Sequence, residues 1–341
     1  MSEPVLQADG LRVWYGTAGD PVRAVDNVSF EIGAGETLGL VGESGCGKST
    51  LGRAVLGLLP ESAAMAGEIR YRDRNMAGLD AHELRSMRGP EIALIFQEPM
   101  TRLDPLISIE SHFLETLRAH EPGLSKEEMR RRSLETLARM GIPPTRFRQY
   151  PHEFSGGMRQ RIMIALALVL RPSLVIADEP TTALDVIVEA QILGILADLR
   201  ENFDTSLLLI THNLGIVAEA CDRLAVMYAG KIVEEGDAHR VFSAPAHPYT
   251  RELLRSIISL RTKSLHYIPG APPDLIDPPA ACRFHPRCPN AMRVCAEREP
   301  VEVRTEGGQR VACWLHGPED LIPPAGTEPL ERPEIALAEE A

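Results

Sequence analysis

The residues best equipped for chemistry open with a glycine-rich stretch. Gly42, Glu43, Ser44, Gly45, Cys46, Gly47, Lys48, Ser49 and Thr50 fit the pattern GxxxxGK[ST] in full. Each fixed position has a task around a phosphate chain. The glycines let backbone N–H groups turn toward an anion, the Lys48 ammonium reaches the β and γ phosphates, and the Ser49 hydroxyl takes a place on magnesium. An apolar run over residues 37–41 enters the turn and helix-spaced residues 48–59 leave it, so the positive end of a helix dipole faces the same anion. Cys46 has no base beside it in sequence and reads as a small space-filler, not a nucleophile. About 130 residues downstream, the apolar run Leu174, Val175, Ile176, Ala177 ends in Asp178 and Glu179. A buried strand ending in two acids sets Asp178 at its carboxyl end, facing the phosphate loop, as a magnesium ligand, direct or through water. Glu179 then becomes the group that polarises an attacking water.

A third motif, Phe154, Ser155, Gly156, Gly157, Met158, Arg159 and Gln160, precedes a helix-spaced stretch that reaches Leu170. Ser155 and the two glycines expose amides at a helix amino terminus, where an anion is favoured. These residues resemble the signature motif of ATP-binding-cassette (ABC) ATPases, with Phe154 and Met158 where the commonest form has Leu and Gln. The resemblance implies that Ser155, Gly156, Gly157 and Met158 touch the γ-phosphate of ATP held by the other subunit of a head-to-tail dimer. Because backbone and Ser155 supply those contacts, activity should survive the exchange at Met158.

Other positions match the same family one by one, in order. Tyr15, with Trp14 as the alternative, resembles the aromatic residue that stacks on adenine. Gln97, in Phe96, Gln97, Glu98, Pro99, resembles the glutamine that senses magnesium and nucleotide beside the membrane subunit. Asp185, after Ala183 and Leu184, resembles the loop that crosses the dimer, and His212 the switch histidine that contacts the γ-phosphate and positions the water. The implied catalytic set is Lys48, Glu179 and His212; the implied cofactors are ATP and Mg2+, the metal being held by Ser49, Gln97 and Asp178. The match spans about residues 5–258. It implies an α/β fold, a P-loop NTPase of the ABC type, with a RecA-like parallel core, an antiparallel β subdomain and a helical subdomain.

The elements that must position these groups follow from periodicity. Residues 5–15 and 28–32 alternate apolar and polar positions, as half-exposed strands of an antiparallel edge sheet do. Residues 92–96, 174–177 and 207–210 are short apolar runs of the kind found in central parallel strands, each stopping at a polar residue of interest. Helical periodicity over residues 107–140 predicts an all-helical insert at about 100–160. Past Gly236 the composition shifts to a helix through Ile258 and a Pro-rich linker over residues 269–279. The cassette is therefore assigned to residues 1–258 and a small Cys-rich C-terminal extension to 259–317. From Pro318 to the last residue, five prolines and seven acids against one Arg predict a disordered tail, 318–341.

His247, Pro248, Tyr249, Thr250, Arg251, Glu252, Leu253 and Leu254, followed by Ile268, Pro269, Gly270 and a cysteine cluster, resemble the oligopeptide and dipeptide importer ATPases and their nickel-transporting relatives. The Met158 form of the signature resembles that branch too. The implied machine has a second, usually paralogous ABC ATPase subunit, two transmembrane permease subunits and an extracytoplasmic solute-binding protein. ATP binding closes its dimer and hydrolysis reopens it. Cys282, Cys288, Cys295 and Cys313 are separated by five, six and seventeen residues. Clustered thiols in a chain without a secretion signal suggest a metal before a disulfide framework. A [4Fe-4S] cluster and tetrahedral zinc both suit four thiolates; the lack of a tight C-x2-C pair favours the cluster, and the resemblance points the same way. Zinc, with His285 or His316 substituting, and reduced cysteines without metal stay open.

Composition narrows the function class. With 341 residues and a formal charge of -12, the chain offers no electrostatic grip on nucleic acid, so no nucleic-acid partner is expected. Residues 1–10 lack a basic start and an apolar h-region, and the longest apolar run, residues 162–170, falls far short of the ~20 that span a bilayer. A peripheral place on the cytoplasmic face of the membrane is expected. A soluble cassette ATPase acting on DNA or ribosomes would usually carry two cassettes or a coiled-coil insert, and neither is present; a hydrolysis-dead regulatory subunit is opposed by Glu179 and His212. By the resemblance to importer ATPases, di- or oligopeptides are the expected cargo, with nickel or another small solute as the alternative; the cassette itself does not specify it.

Overall fold

A computed structural model describes residues 3–16, 19–96, 102–181, 188–192, 194–196, 205–256, 266–323 and 326–330. Its strands in chain order are β1 (Leu6–Tyr15), β2 (Val22–Ile32), β3 (Thr37–Val41), β4 (Ala63–Tyr71), β5 (Arg74–Asn75), β6 (Ile92–Ile95), β7 (Leu174–Asp178), β8 (Ser206–Ile210), β9 (Arg223–Tyr228), β10 (Lys231–Asp237), β11 (Glu302–Arg304) and β12 (Arg310–Ala312). They form two sheets. The first is antiparallel, in the order β2-β1-β4-β5. In β1 the residues Leu6, Ala8, Leu11 and Val13 are buried and alternate with more exposed neighbours, so one face seals against the core. The second runs β11-β12-β10-β9-β3-β8-β7-β6. Its five strands from β9 to β6 are parallel. Every residue of β3, β7 and β8 is buried, as a parallel strand covered on both faces requires.

Helices α1 (Lys48–Val55), α2 (Ala81–Met87), α3 (Ile109–His120), α4 (Lys126–Arg139) and α5 (Gly156–Leu168) follow the same logic. The helix leaving the phosphate loop stops at Val55 instead of reaching residue 59, because Gly57 takes a left-handed φ of 61° and its N–H closes on the Ala54 carbonyl. In the insert, Ser108 and Ser125 cap α3 and α4 through their hydroxyls. Ile109, Phe113 and Leu117 on α3 recur every fourth residue, as do Met129, Ser133 and Leu137 on α4, and these faces close a helical core with α5. Each large side chain buried there contributes about 1.5–3 kcal/mol.

The C-terminal part departs from the expected separate extension. Strand β12 pairs with β10, with Glu234 opposite Val311 and Glu235 opposite Arg310, so residues 302–312 continue the cassette's own sheet. The reason is burial: Val311 and Cys313 pack with Ala246, and Trp314 with Val294 and Cys295. Nor is the tail unstructured from residue 318. Residues 326–330 lie against the Cys-rich segment through N–H bonds of Arg293 to Glu328, Val294 to Gly326 and Leu330 to Ala291 carbonyls. Residues 331–341 lie outside the described residues.

Candidate nucleotide site

The phosphate loop is wedged between two backbone segments. A Cβ on Gly42 would sit 2.1 Å from the Met227 carbonyl oxygen of β9, and one on Gly47 only 1.9 Å from the Ala24 carbonyl oxygen of β2. Both glycines also take positive φ, 155° and 108°. Gly47 stands at the start of α1 with no side-chain cap and no acid in the first turn, which leaves the amides there for an external anion. Lys48 is buried, and its Nζ donates to the carbonyls of Gly42 (2.8 Å) and Glu43 (3.0 Å). Cys46 is buried beside it; burial pushes its thiol pKa up, so it remains a protonated filler.

A hydrogen bond ties the loop to the end of β7. The Ser49 hydroxyl donates to Asp178 Oδ1 at 2.8 Å. Asp178 is buried, and burial raises its carboxyl pKa while the Ser49 bond pulls it down. A hydroxyl and a carboxylate side by side fit the hard-oxygen preference of magnesium, with phosphate oxygens and water completing the shell. Next in the chain, Glu179 takes a left-handed φ of 47°. Such a conformation costs roughly 1–3 kcal/mol in a residue with a Cβ and is held here by its N–H bond to the Ile210 carbonyl, 2.8 Å. The bend brings the Glu179 carboxylate 3.4 Å from His212 Nδ1, at the exit of β8. Glu179 is mostly covered (13% exposed) and His212 open (58%), so the pair lies at a surface that water can reach from the histidine side.

Tyr15 ends β1 and its hydroxyl donates to Thr50 Oγ1 at 3.3 Å. Neighbouring Trp14 instead has the Arg23 guanidinium over its ring. Of the two aromatics, Tyr15 is the one on the loop. The signature residues occupy the start of α5. Ser155 caps it, accepting from the Met158 N–H at 3.4 Å, and no acid stands in the first turn. The unusual Met158 is packed: Arg146 Nη1 lies 3.1 Å from its sulfur and the same guanidinium stacks over Phe154. Among the described residues no hydrogen bond links residues 155–158 to residues 42–50. Gln160 reaches forward, donating to the Pro180 carbonyl just past Glu179, 2.6 Å. Gln97 and Asp185 lie outside the described residues.

Sequence reasoning missed three attachments of the loop. Gly230 N–H donates to the Cys46 carbonyl at 2.8 Å, Tyr249 Oη accepts from the Glu43 N–H at 2.9 Å, and Arg287 grips the Glu43 carboxylate with both Nη atoms, at 2.7 and 3.0 Å. For Tyr249 a signal existed: His247 followed by Pro248 is a capping pair that starts a helix, Pro248–Arg255, with Tyr249 in its first turn. Arg287 is 244 residues from its partner, and pairing at that range leaves no local trace.

The expected metal centre on Cys282, Cys288, Cys295 and Cys313 is not supported. Among the described residues no group of three or more His, Cys, Asp or Glu side chains is arranged to hold a metal ion. The thiols do gather. Burial pushes Cys282 and Cys313 up to about 12, and Cys282 is raised further by the charges of Cys295, Cys313 and Cys288. Burial also raises Cys295. As placed, Cys288 fills the core around Phe284 and Cys295 the core around Trp314, half-buried Cys282 packs against both, and Cys313 packs with Ala246 and Val311.

Comparison with known proteins agrees with this geometry. Residues 25–182 match the ABC transporter family, and residues 233–295 match the oligopeptide/dipeptide transporter C-terminal region. The dipeptide transport ATP-binding protein DppD of Bacillus subtilis is 46% identical over 319 residues, 92% of this chain and 95% of the relative. The oligopeptide transport ATP-binding protein OppD of Escherichia coli is 44% identical over 317 residues, 92% and 94% of the two chains. The dimeric cassette MJ0796 in a post-hydrolysis state, bound to ADP and Pi, superimposes with a TM-score of 0.62 at 27% identity, covering 69% of this chain and 99% of that one.

Proposed function

This chain belongs to the ABC transporter ATPases, and from that premise we propose that it hydrolyses ATP to drive import of dipeptides or oligopeptides across a cell membrane. One observation carries the ATPase reading: Ser49 on the phosphate loop, Asp178 on β7 and the Glu179–His212 pair lie in one continuous run of contacts at the carboxyl ends of β3, β7 and β8. Lys48 and the amides of residues 45–49 would hold the phosphates. Ser49 and Asp178 would hold magnesium, which when bound neutralises charge on the β and γ oxygens. Glu179 would accept a proton from the attacking water, and His212, in contact with it, would orient that water toward the γ-phosphorus. Tyr15 would stack on the base, and Gln97 and Asp185 would complete the metal shell and the dimer crossing.

The peptide cargo rests on the names and extent of the relatives and on the match at residues 233–295. They support a head-to-tail pair of ATPase subunits under permease subunits, fed by a solute-binding protein, with this subunit at the cytoplasmic face. Among the described residues no helix is long and apolar enough to cross a membrane, which suits a peripheral subunit. A signature that serves a second subunit's nucleotide needs no hydrogen bond to its own phosphate loop, and among the described residues none links 155–158 to 42–50. An iron–sulfur or zinc centre on the four cysteines has their gathering in its favour, while among the described residues no arrangement able to hold a metal ion is found; an iron, sulfide and zinc assay on anaerobically purified chain bears on it.

The test is Glu179→Gln in the assembled complex. MgATP binding should persist while turnover falls by about 10²–10⁴-fold, the usual worth of a general base. Undiminished turnover would show that another group activates the water.

A further inference from the structure

We propose that Arg287 and Tyr249 are positioning residues of the nucleotide site, making the Cys-rich extension a wall that sets the shape of the phosphate loop. The inference deepens the ATPase reading and rests on it. Glu43, the first variable residue of the loop, has all three of its polar groups engaged. Its carboxylate accepts a forked pair from Arg287, its N–H donates to Tyr249 Oη, and its carbonyl accepts from Lys48 Nζ. Arg287 is therefore two hydrogen-bonded steps from the ammonium that meets the phosphates.

The clamp is built, not incidental. Arg287 is 5% exposed, and its five N–H donors have five acceptors: Nε to the Pro269 carbonyl, Nη1 to Glu43 and Tyr228 Oη, Nη2 to Glu43 and the Ile268 carbonyl. A surface ion pair contributes little, but a forked, desolvated one is directional and leaves an orphan charge if broken. Tyr249 is fully buried against Tyr228 and Phe284, the latter only three residues before Arg287. The Pro-rich segment then turns along the loop: Leu275 accepts from the Arg23 N–H of β2, and a cleft of about 160 Å³ lies between Pro272, Pro273 and residues 43–46. Arg283, further along the extension, binds Asp26 and the Ala229 carbonyl beside Gly230, whose N–H holds Cys46. The extension thus grips the loop at Glu43 and, through residues 229–230, at Cys46.

The experiment measures MgATP affinity of the full chain with a fluorescent ATP analogue, alongside thermal melting, for the wild type, Arg287→Met, Arg287→Lys, Tyr249→Phe and Lys48→Ala. Losing the fork should weaken MgATP about tenfold, with Arg287→Lys recovering part of it because a point charge replaces one arm, and Tyr249→Phe should cost roughly threefold. In the assembled complex the loss should fall on KM more than on kcat. Folded Arg287→Met and Tyr249→Phe proteins with wild-type affinity would overturn the inference. Tyr249→Phe removes one hydroxyl and leaves no buried charge, so it decides the matter even if Arg287→Met fails to fold. A wild type that binds MgATP no better than Lys48→Ala would instead sink the ATPase reading itself.

Discussion

Single residues divide into those whose role is local and those whose role is not. Lys48, Ser49, Asp178 and Glu179 were legible because a phosphate loop and a strand ending in acids each draw their meaning from fewer than ten neighbouring positions. The contacts between them, Ser49 to Asp178 and Glu179 to His212, follow from parallel pairing of β3, β7 and β8, which sets all three strand ends at one level. The strain at Glu179 was not legible, since no residue type announces a left-handed φ in a glutamate. Glycines do announce it, and Gly47 permits a sharp prediction. Gly47→Ala adds a methyl carbon against the Ala24 carbonyl oxygen at a φ of 108°, so the loop must shift, and MgATP affinity should drop by more than about tenfold in a titration of the folded chain. Wild-type affinity would mean that the loop is softer than its two backbone walls imply.

Elements were legible where periodicity was strong and illegible where long-range pairing decided. The helical insert and the buried parallel strands carry their burial pattern in the sequence. Strand β12 does not: its three residues take strand geometry between β11 on one side and the edge that β10 offers on the other. The helix Pro248–Arg255 shows how a local signal gains a second use. His247 caps it, with Nδ1 accepting the Tyr249 N–H, and its own N–H, like that of Ala246, donates to the fully buried Glu234 carboxylate at 2.8 Å. Burial, with smaller pushes from His316 and Arg251, lowers the His247 pKa to about 3. An unfolded histidine titrates near 6.5, so between these values the unfolded chain binds the extra proton and folding weakens as pH falls. Urea denaturation at pH 7.5 and 5 should therefore show a loss of about 1–2 kcal/mol at the lower pH that is smaller in His247→Gln. Equal losses in both proteins would place the acid sensitivity elsewhere.

At the scale of the whole molecule, cassette and extension share one eight-stranded sheet, and the extension reaches back to the phosphate loop through Arg287. Composition suggested a boundary near residue 259 because prolines break periodicity. Yet proline-rich segments can run over a surface and be held by their carbonyls, as Ile268, Pro269 and Leu275 are. The cysteine cluster was legible only in part for a related reason: spacing shows that thiols can converge, not what arrangement they converge to. Transport, on the proposed reading, needs a second ATPase subunit and permease subunits beside this chain. The measurement that bears most directly on the account is ATP-driven uptake of a labelled short peptide into vesicles bearing the assembled transporter, with wild-type chain and with Glu179→Gln. Peptide accumulation that requires MgATP and stops in Glu179→Gln, with nucleotide binding retained, is the predicted result; turnover that moves no peptide, or uptake that persists in Glu179→Gln, would contradict it.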